Sequence, residues 1–240
     1  TLHHVFDGGW FWVIPFDNHK DSTNPLCSVG VTVDANKHPQ QDLSPEEEFQ
    51  SFVKRFPGIN VQLGSARAVQ RWVRAPRLQY SASRASGRRF FLLPHSYGFI
   101  DPLFSRGIIS TVESLNSFAW RLLEALDDDD FNEDRFAYVD ALNRRQLDYN
   151  DSSVYNAYSS FSDFETWNAW VKVWLSGKMY GDLRLFASYA RYLASGDKRE
   201  FFKLEDDPNP GAICPHLPEH QALVERAAAV LRRFEQKEID

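Results

Sequence analysis

The tetrapeptide Ser105-Arg106-Gly107-Ile108 is where residue types and spacing point most directly to chemistry. It closes the connection from Pro94 to Ile108, which lies between the apolar run Phe90 to Leu93 and a segment in which Ile109, Val112, Leu115, Ala119, Leu122, Leu123 and Leu126 recur at helical spacing. The predicted order is strand, loop, helix, the run of four fitting a strand buried on both faces as in a parallel sheet. The loop thus ends at a helix N-terminus, where unpaired N–H groups and the positive end of the macrodipole favour an anion. Gly107 lets a ligand approach the backbone closely. Many such loops bind nothing, and an ordinary helix start capped by Ser105 or by water is the competing expectation.

Other constellations are weaker. His216 and His220 stand four apart like two ligands on a helix, but Pro218 lies between them at an expected helix start and no carboxylate or cysteine completes a zinc pattern. Asp127 to Asp130 reads as a solvated acidic turn after a helix, and no metal is expected there. His3 and His4, adjacent in a strand, point to opposite faces. Cys27 falls among Val29, Val31 and Val33 and is expected to be a buried structural thiol; with Cys214 it shows no metal or redox spacing. None of the twelve glycines forms a dinucleotide fingerprint or a P-loop, and there is no Gly-x-Ser-x-Gly elbow.

At 240 residues, 43% hydrophobic, the chain has the material for one large domain or two small ones. A formal charge of −6 without a basic patch argues against a nucleic-acid partner. No apolar stretch reaches membrane-spanning length and no signal pattern opens the chain, so a cytoplasmic address is expected. Thr1 is not an initiator Met, and Thr1 to Phe6 reads like the inside of a strand, so a fragment is expected.

The elements around the turn follow from periodicity. Residues 1 to 35 read as paired strands, with Trp10 to Phe16 and Cys27 to Asp34 forming a hairpin across a long polar loop. Ser44-Pro45-Glu46-Glu47 opens a helix with an apolar face of Phe49, Phe52, Val53 and Phe56, ended by Pro57-Gly58. Arg77 to Tyr80 and Arg89 to Leu93 read as strands. Helices are expected over 131–148, from a second capping box at Ser162 to Glu165, over 182–194 and over 219–234. The stripe Phe164, Trp167, Trp170, Val171 and Trp174 either packs a helix on the sheet or walls a cavity for a planar substrate. The fold class is α+β.

Two motifs in fixed order carry a resemblance: Trp10-Phe11-Trp12-Val13-Ile14-Pro15, of the form Trp-x-Trp-x-Ile-Pro, and Gly98-Phe99-Ile100-Asp101-Pro102-Leu103-Phe104-Ser105-Arg106-Gly107, with Leu26 to Val33 between them. Together they resemble the carboxyl-terminal portion of the flavin-dependent halogenases, most specifically over residues 1–125. The resemblance implies β-sheet strands of a substrate domain plus the final strand, loop and helix of a flavin-binding domain over 1–125, and a helical region over 126–240. It implies FAD, reduced by a separate reductase, and chloride or bromide as cofactors, with oxygen used to oxidise halide for attack on an electron-rich ring. It places Gly98, Asp101, Pro102, Ser105, Gly107 and Ile108 at the cofactor, the amides of Arg106 and Gly107 at the halide, and Trp10, Trp12, Ile14 and Pro15 in a barrier between flavin and substrate. By physics alone the two tryptophans read as core residues on one strand face.

Departures narrow this reading. Pro94 and His95 stand where the wider superfamily carries Gly-Asp, so a carboxylate that holds the ribityl chain is lost. Phe104 replaces the catalytic Glu of the tryptophan-halogenating branch, which favours phenols, pyrroles or carrier-tethered acyl groups as substrates. The resemblance implies a catalytic lysine in an amino-terminal half, with the dinucleotide-binding fingerprint, that this chain is expected to lack, so the catalytic residue is unknown. Plain aromatic hydroxylation is the nearer alternative, and a non-catalytic module binding a substrate or partner is the alternative from another class.

Overall fold

The computed structural model describes residues 1–239. They form an α+β arrangement of two compact units, the first Thr1–Arg77 with Phe161–Phe164, the second the remaining described residues from Leu78.

The first unit is built on an antiparallel sheet of β1 (Leu2–Phe6), β2 (Gly9–Pro15) and β3 (Cys27–Val33), in that order. Gly8 at φ 77° supplies the left-handed residue of the tight β1–β2 turn. The β2–β3 hairpin with its long connection is the one expected, running from Gly9 opposite Val33 to Pro15 opposite Cys27. Phe6 and Phe11 join Phe49, Phe52, Val53 and Ile59 in a buried cluster with α1 (Pro45–Arg55) and α2 (Pro57–Leu63). The capping box forms: Glu47 N–H donates to Ser44 Oγ (3.3 Å) and Ser44 N–H donates to Glu47 Oε2 (2.9 Å). Pro57 does more than end α1, because Phe56 turns extended (φ −122°, ψ 100°) and Pro57 then occupies the first position of α2. Cys27 is an exposed free thiol, contrary to the buried one expected, because it starts β3 at the sheet end opposite Pro15.

The second unit corrects the strand before the turn. Only Phe90–Phe91 (β6) is extended, antiparallel to Ser86–Gly87 (β5), and Phe90 and Leu93 are exposed. A one-turn helix α3 (Pro94–Tyr97) follows, then β7 (Gly98–Phe99), antiparallel to β4 (Tyr80–Ser81). The backbone groups of the apolar run are thus satisfied locally, Leu92 N–H donating to Ala85 O, rather than in a buried parallel sheet. Helix α4 (Gly107–Asp128) begins at the predicted turn. After a 3₁₀ turn at Glu133–Phe136 come α5 (Ala137–Ser160), α6 (Phe164–Ser195), α7 (Arg199–Phe202) and α8 (Pro218–Glu235).

Two features of this unit run against simple patterning. The buried residues of α4 are Ser110, Ser114, Ser117, Arg121 and Ala125, so its polar stripe faces inward. Ser114 Oγ donates to Asn143 Oδ1 (2.6 Å), and Asn143 Nδ2 donates to Leu92 O (2.9 Å), tying α4, α5 and the loop together. Arg121 makes a bidentate pair with Glu205 (2.9 and 2.6 Å) and lies 4.1 Å from the Trp120 ring centroid. The two helices expected over the tryptophan stripe and over 182–194 are one helix, α6. Gly177 and Gly181 sit inside it because side chains there would strike the His220 ring and the Ile213 carbonyl, at 2.4 and 2.1 Å. No helix among the described residues is long and apolar enough to cross a membrane.

Candidate functional site

The 98–108 loop is held by side chains aimed away from its tip. Asp101, buried, accepts from Leu103 N–H at Oδ1 (2.8 Å) and from Tyr158 OH at Oδ2 (3.0 Å), which staples the loop to α5. Leu103 is buried, and Phe104 stacks on Trp174 of α6 at 4.8 Å, so the residue at the catalytic-Glu position is an anchor. Gly98 packs against α5, where a Cβ would meet Leu147 at 2.6 Å. Pro102 accepts from Ser105 N–H (2.9 Å) and closes the turn.

At the tip the backbone is special. Ser105 adopts φ 52°, a left-handed conformation uncommon outside glycine, and Arg106 follows at φ −75°, ψ −13°. A left-handed residue followed by a right-handed one turns successive N–H groups toward one side, the arrangement of an anion-binding nest. Arg106 is the N-cap, and no side chain hydrogen-bonds to the cap, so the expected cap by Ser105 does not form. The donors of the first turn remain directed outward with the helix dipole behind them. Ile108 projects into solvent beside them.

The Arg106 side chain goes the other way. Its guanidinium is buried, with Nη2 donating to the Gly211 carbonyl (3.3 Å) and its centre 5.4 Å from the Tyr149 ring centroid. Nε has no hydrogen-bond partner among the described residues. Glu113, one helical face along, accepts from Gln146 Nε2 (2.7 Å). Burial pushes its carboxyl up from the ordinary range, and the nearby Arg106 charge only partly offsets this. Arg106 therefore contributes its amide to the turn and its charge to the interior. Gly107 is bounded by His95, whose Nε2 lies 2.3 Å from where a Gly107 Cβ would sit.

The other motif lies in the first unit. Trp10, Trp12 and Ile14 share the face of β2 opposite Phe11 and Val13, and thus opposite the cluster against α1 and α2. Trp10 is buried, 4.9 Å from His3 and 5.9 Å from Trp12 between ring centroids. Trp12 is half-buried, donates to Ser28 Oγ (3.3 Å) and lies over Gly30, where a Cβ would be 2.0 Å from its ring. Pro15 ends the strand pairing opposite Cys27.

The chain is 48% identical over 216 residues to tetracycline 7-halogenase of Kitasatospora aureofaciens, a match covering 90% of this chain and 39% of that protein. It is 44% identical over 230 residues to monodechloroaminopyrrolnitrin halogenase PrnC of Pseudomonas fluorescens, covering 95% and 41%. The crystal structure of halogenase PltM in complex with phloroglucinol and FAD superposes on the whole chain with a TM-score of 0.96 at 37% identity, over 48% of its own length. The chain is similar to one part of each of these halogenases. It spans less than half the length of each of these relatives. No family model matches it.

The weaker candidates have other roles. His220 is buried with Nε2 3.1 Å from Val173 O, and His216 Nδ1 is 3.9 Å from Cys214 Sγ. The acidic run is partly neutralised by Arg135, bidentate to Asp128 at 2.8 and 2.5 Å. Among the described residues no group of three or more His, Cys, Asp and Glu could hold a metal ion. His3 is exposed with its ring edge-on to Trp10, and partial desolvation lowers its pKa; His4, on the other face, lies with Nε2 2.9 Å from Gln62 Oε1. The sequence marked His95 only as a departure and Arg106 only at the halide turn; the contact of the His95 ring with Gly107 and the grouping of the Arg106 side chain with Glu113 and Gln146 were not foreseen. The inward stripe Ser110, Ser114, Ser117 and Arg121 was the one visible signal of that grouping, being itself at helical spacing.

Proposed function

We propose that the protein carrying these residues is a cytoplasmic FAD-dependent halogenase of an electron-rich aromatic substrate, phenolic, pyrrolic or held on a carrier protein, served by a separate flavin reductase. FAD, when bound and reduced, would supply the two electrons that bring oxygen to the peroxide level, at which it can oxidise halide to the hypohalite level. The amides of Arg106 and Gly107 hold chloride or bromide. Gly98, Asp101 and Pro102 fix the loop that presents them, while Ser105, Gly107 and Ile108 form the edge facing the flavin. Trp10, Trp12, Ile14 and Pro15 wall flavin from substrate. In this division residues 1–125 carry the cofactor and barrier motifs, and 126–240 form a helical carboxyl-terminal region.

The observation that supports this reading most is the turn itself: Ser105 at φ 52° followed by an uncapped helix start. Its donor set suits an anion, since the one nearby loop carboxylate, Asp101, is engaged by Leu103 and Tyr158 and aimed inward. A monatomic anion needs several donors and no acceptor, which backbone amides provide. In the full-length protein Gly107→Pro removes one donor, so halogenation should fall while oxidation of reduced flavin without halide persists. Bromide soaked into crystals of the flavin-bound full-length protein should give an anomalous peak within hydrogen-bonding reach of the two amides; no peak there ends the assignment.

A further inference from the structure

The positive charge behind the turn lacks a counter-ion. Arg106 is 9% exposed, yet its guanidinium makes no ion pair among the described residues; Nη2 donates to the Gly211 carbonyl, and Nε has no hydrogen-bond partner. A cation taken out of water is normally answered by a carboxylate, because burying it unpaired is costly. The place is nevertheless built to receive it. Tyr149 of α5 presents its ring to the guanidinium at 5.4 Å, which suits a cation. Gly211, at φ 92°, lies so close to α5 that a Cβ would be 2.8 Å from Gln146 N and 2.9 Å from the Arg145 carbonyl carbon, and this approach brings its own carbonyl within reach of Arg106. The carboxyl that acts on Arg106 through space is Glu113, two turns along the same face of α4, where it accepts from Gln146 Nε2. Its burial favours the neutral acid, so the guanidinium is left largely unanswered.

We infer that the Arg106 side chain is a positioning residue for the halide: the guanidinium sets a fixed positive charge behind the turn, and the anion held on the amides of Arg106 and Gly107 serves as its counter-ion. Resting on the proposed halide turn, this role adds a full charge to a helix end that by itself carries only about half of one. Glu113 then competes with halide for the same cation. Neutral, it leaves Arg106 to the halide; ionised, it answers Arg106, so halide affinity falls as pH rises through the raised Glu113 value. The surrounding groups do not produce that trend. Tyr138 and Tyr149 of α5 are pushed up mainly by burial, Tyr138 to about 12, and stay neutral; burial also raises the Cys214 thiol beside Tyr149. Arg121 and Arg145, which act on Tyr138, keep their protons. Burial opposes ionisation of Glu205, but hydrogen bonds led by Arg121 hold it below the ordinary range. His95, bounding Gly107 from α3, is the competing source of pH dependence.

The test is chloride binding by the full-length protein without flavin, read as excess chlorine-35 NMR line width that bromide displaces, with unfolding midpoints measured alongside. Arg106→Gln can still donate to the Gly211 carbonyl but carries no charge, and should weaken chloride about 10-fold, while Arg106→Lys keeps the charge and should stay within about 3-fold of the parent. In turnover Arg106→Gln should raise KM for bromide and leave KM for the aromatic substrate unchanged. Glu113→Gln tests the same charge without touching Arg106: the parent should lose affinity between about pH 5 and pH 8, and the variant should not. Parent-like chloride binding by Arg106→Gln overturns the inference, and so does a lysine variant as weak as the glutamine one, which assigns the effect to the Gly211 bond. A pH dependence that survives Glu113→Gln belongs to His95 and removes the competition. Gly107→Pro separates the two claims. If it abolishes chloride binding while Arg106→Gln does not weaken it, the halide turn stands and the role of the guanidinium falls; if it leaves chloride binding intact, the turn itself falls.

Discussion

Gly107→Ala is the sharpest perturbation of the turn, because its effect should change sign with one neighbour. The new Cβ would sit 2.3 Å from Nε2 and 2.4 Å from Cε1 of His95, well inside the ~3.5 Å of an ordinary contact. His95 packs edge-on against Phe99 at 5.5 Å, and its backbone carbonyl accepts from Tyr80 OH, so the ring has to rotate while its main chain stays pinned. Overpacking of this kind costs about 1–3 kcal/mol. Removing His95 removes the obstacle, and alanine is then favoured over glycine in a helix by up to about 1 kcal/mol. Urea unfolding of the 240-residue chain, Gly107→Ala, His95→Ala and the double variant closes a cycle. Gly107→Ala should destabilise the parent chain and be neutral or stabilising in the His95→Ala background, a coupling of about 1–4 kcal/mol. The same cost in both backgrounds would refute the reasoning and the placement of His95 at the turn.

Two further perturbations probe the inward face of α4. Arg121→Met strands the Glu205 carboxylate and should cost about 3–5 kcal/mol in urea unfolding, with Glu205→Leu added recovering much of it; a loss below about 1 kcal/mol would show the pair to be solvated. Because burial raises the Glu113 pKa, the fold binds a proton more tightly than the unfolded chain, so this group's contribution is fully present below about pH 4.3 and is lost as pH rises through the folded value. Glu113→Gln should therefore raise the unfolding midpoint at pH 7 and leave it unchanged near pH 3.5; equal effects at both would refute the assignment.

What the sequence disclosed depended on how local the cause was. The Ser44 capping box, the β2–β3 hairpin and the start of α4 are set by residues within a few positions, and they form where expected. The inward side of α4 was misleading because an apolar stripe shows which residues avoid water and is silent on which neighbour covers them; the partners of Ser114 and Arg121 come from Asn143 and Glu205. The run Phe90 to Leu93 was too short for periodicity to separate a buried strand from an apolar edge. At the turn, Gly107 was visible as a site of close approach, but the His95 ring it accommodates was not. Nor does one sequence report that Ser105 is left-handed or that a buried arginine aims at the Gly211 carbonyl.

The Trp12 ring lying over Gly30 bears on how the hairpin finds its alignment. A long connection such as residues 16–26 sets no register by itself, since many loop conformations close it at similar cost. A slip of two residues would keep every side chain on its own face, so the hydrophobic pattern alone would tolerate it. It would also move Trp12 from Gly30 to Ser28 or Thr32, whose Cβ atoms occupy the space the indole needs. The pair thus works as an index notch between β2 and β3. Insertions or deletions in the connection can then be absorbed without changing which residue stands beside Trp10 and Trp12.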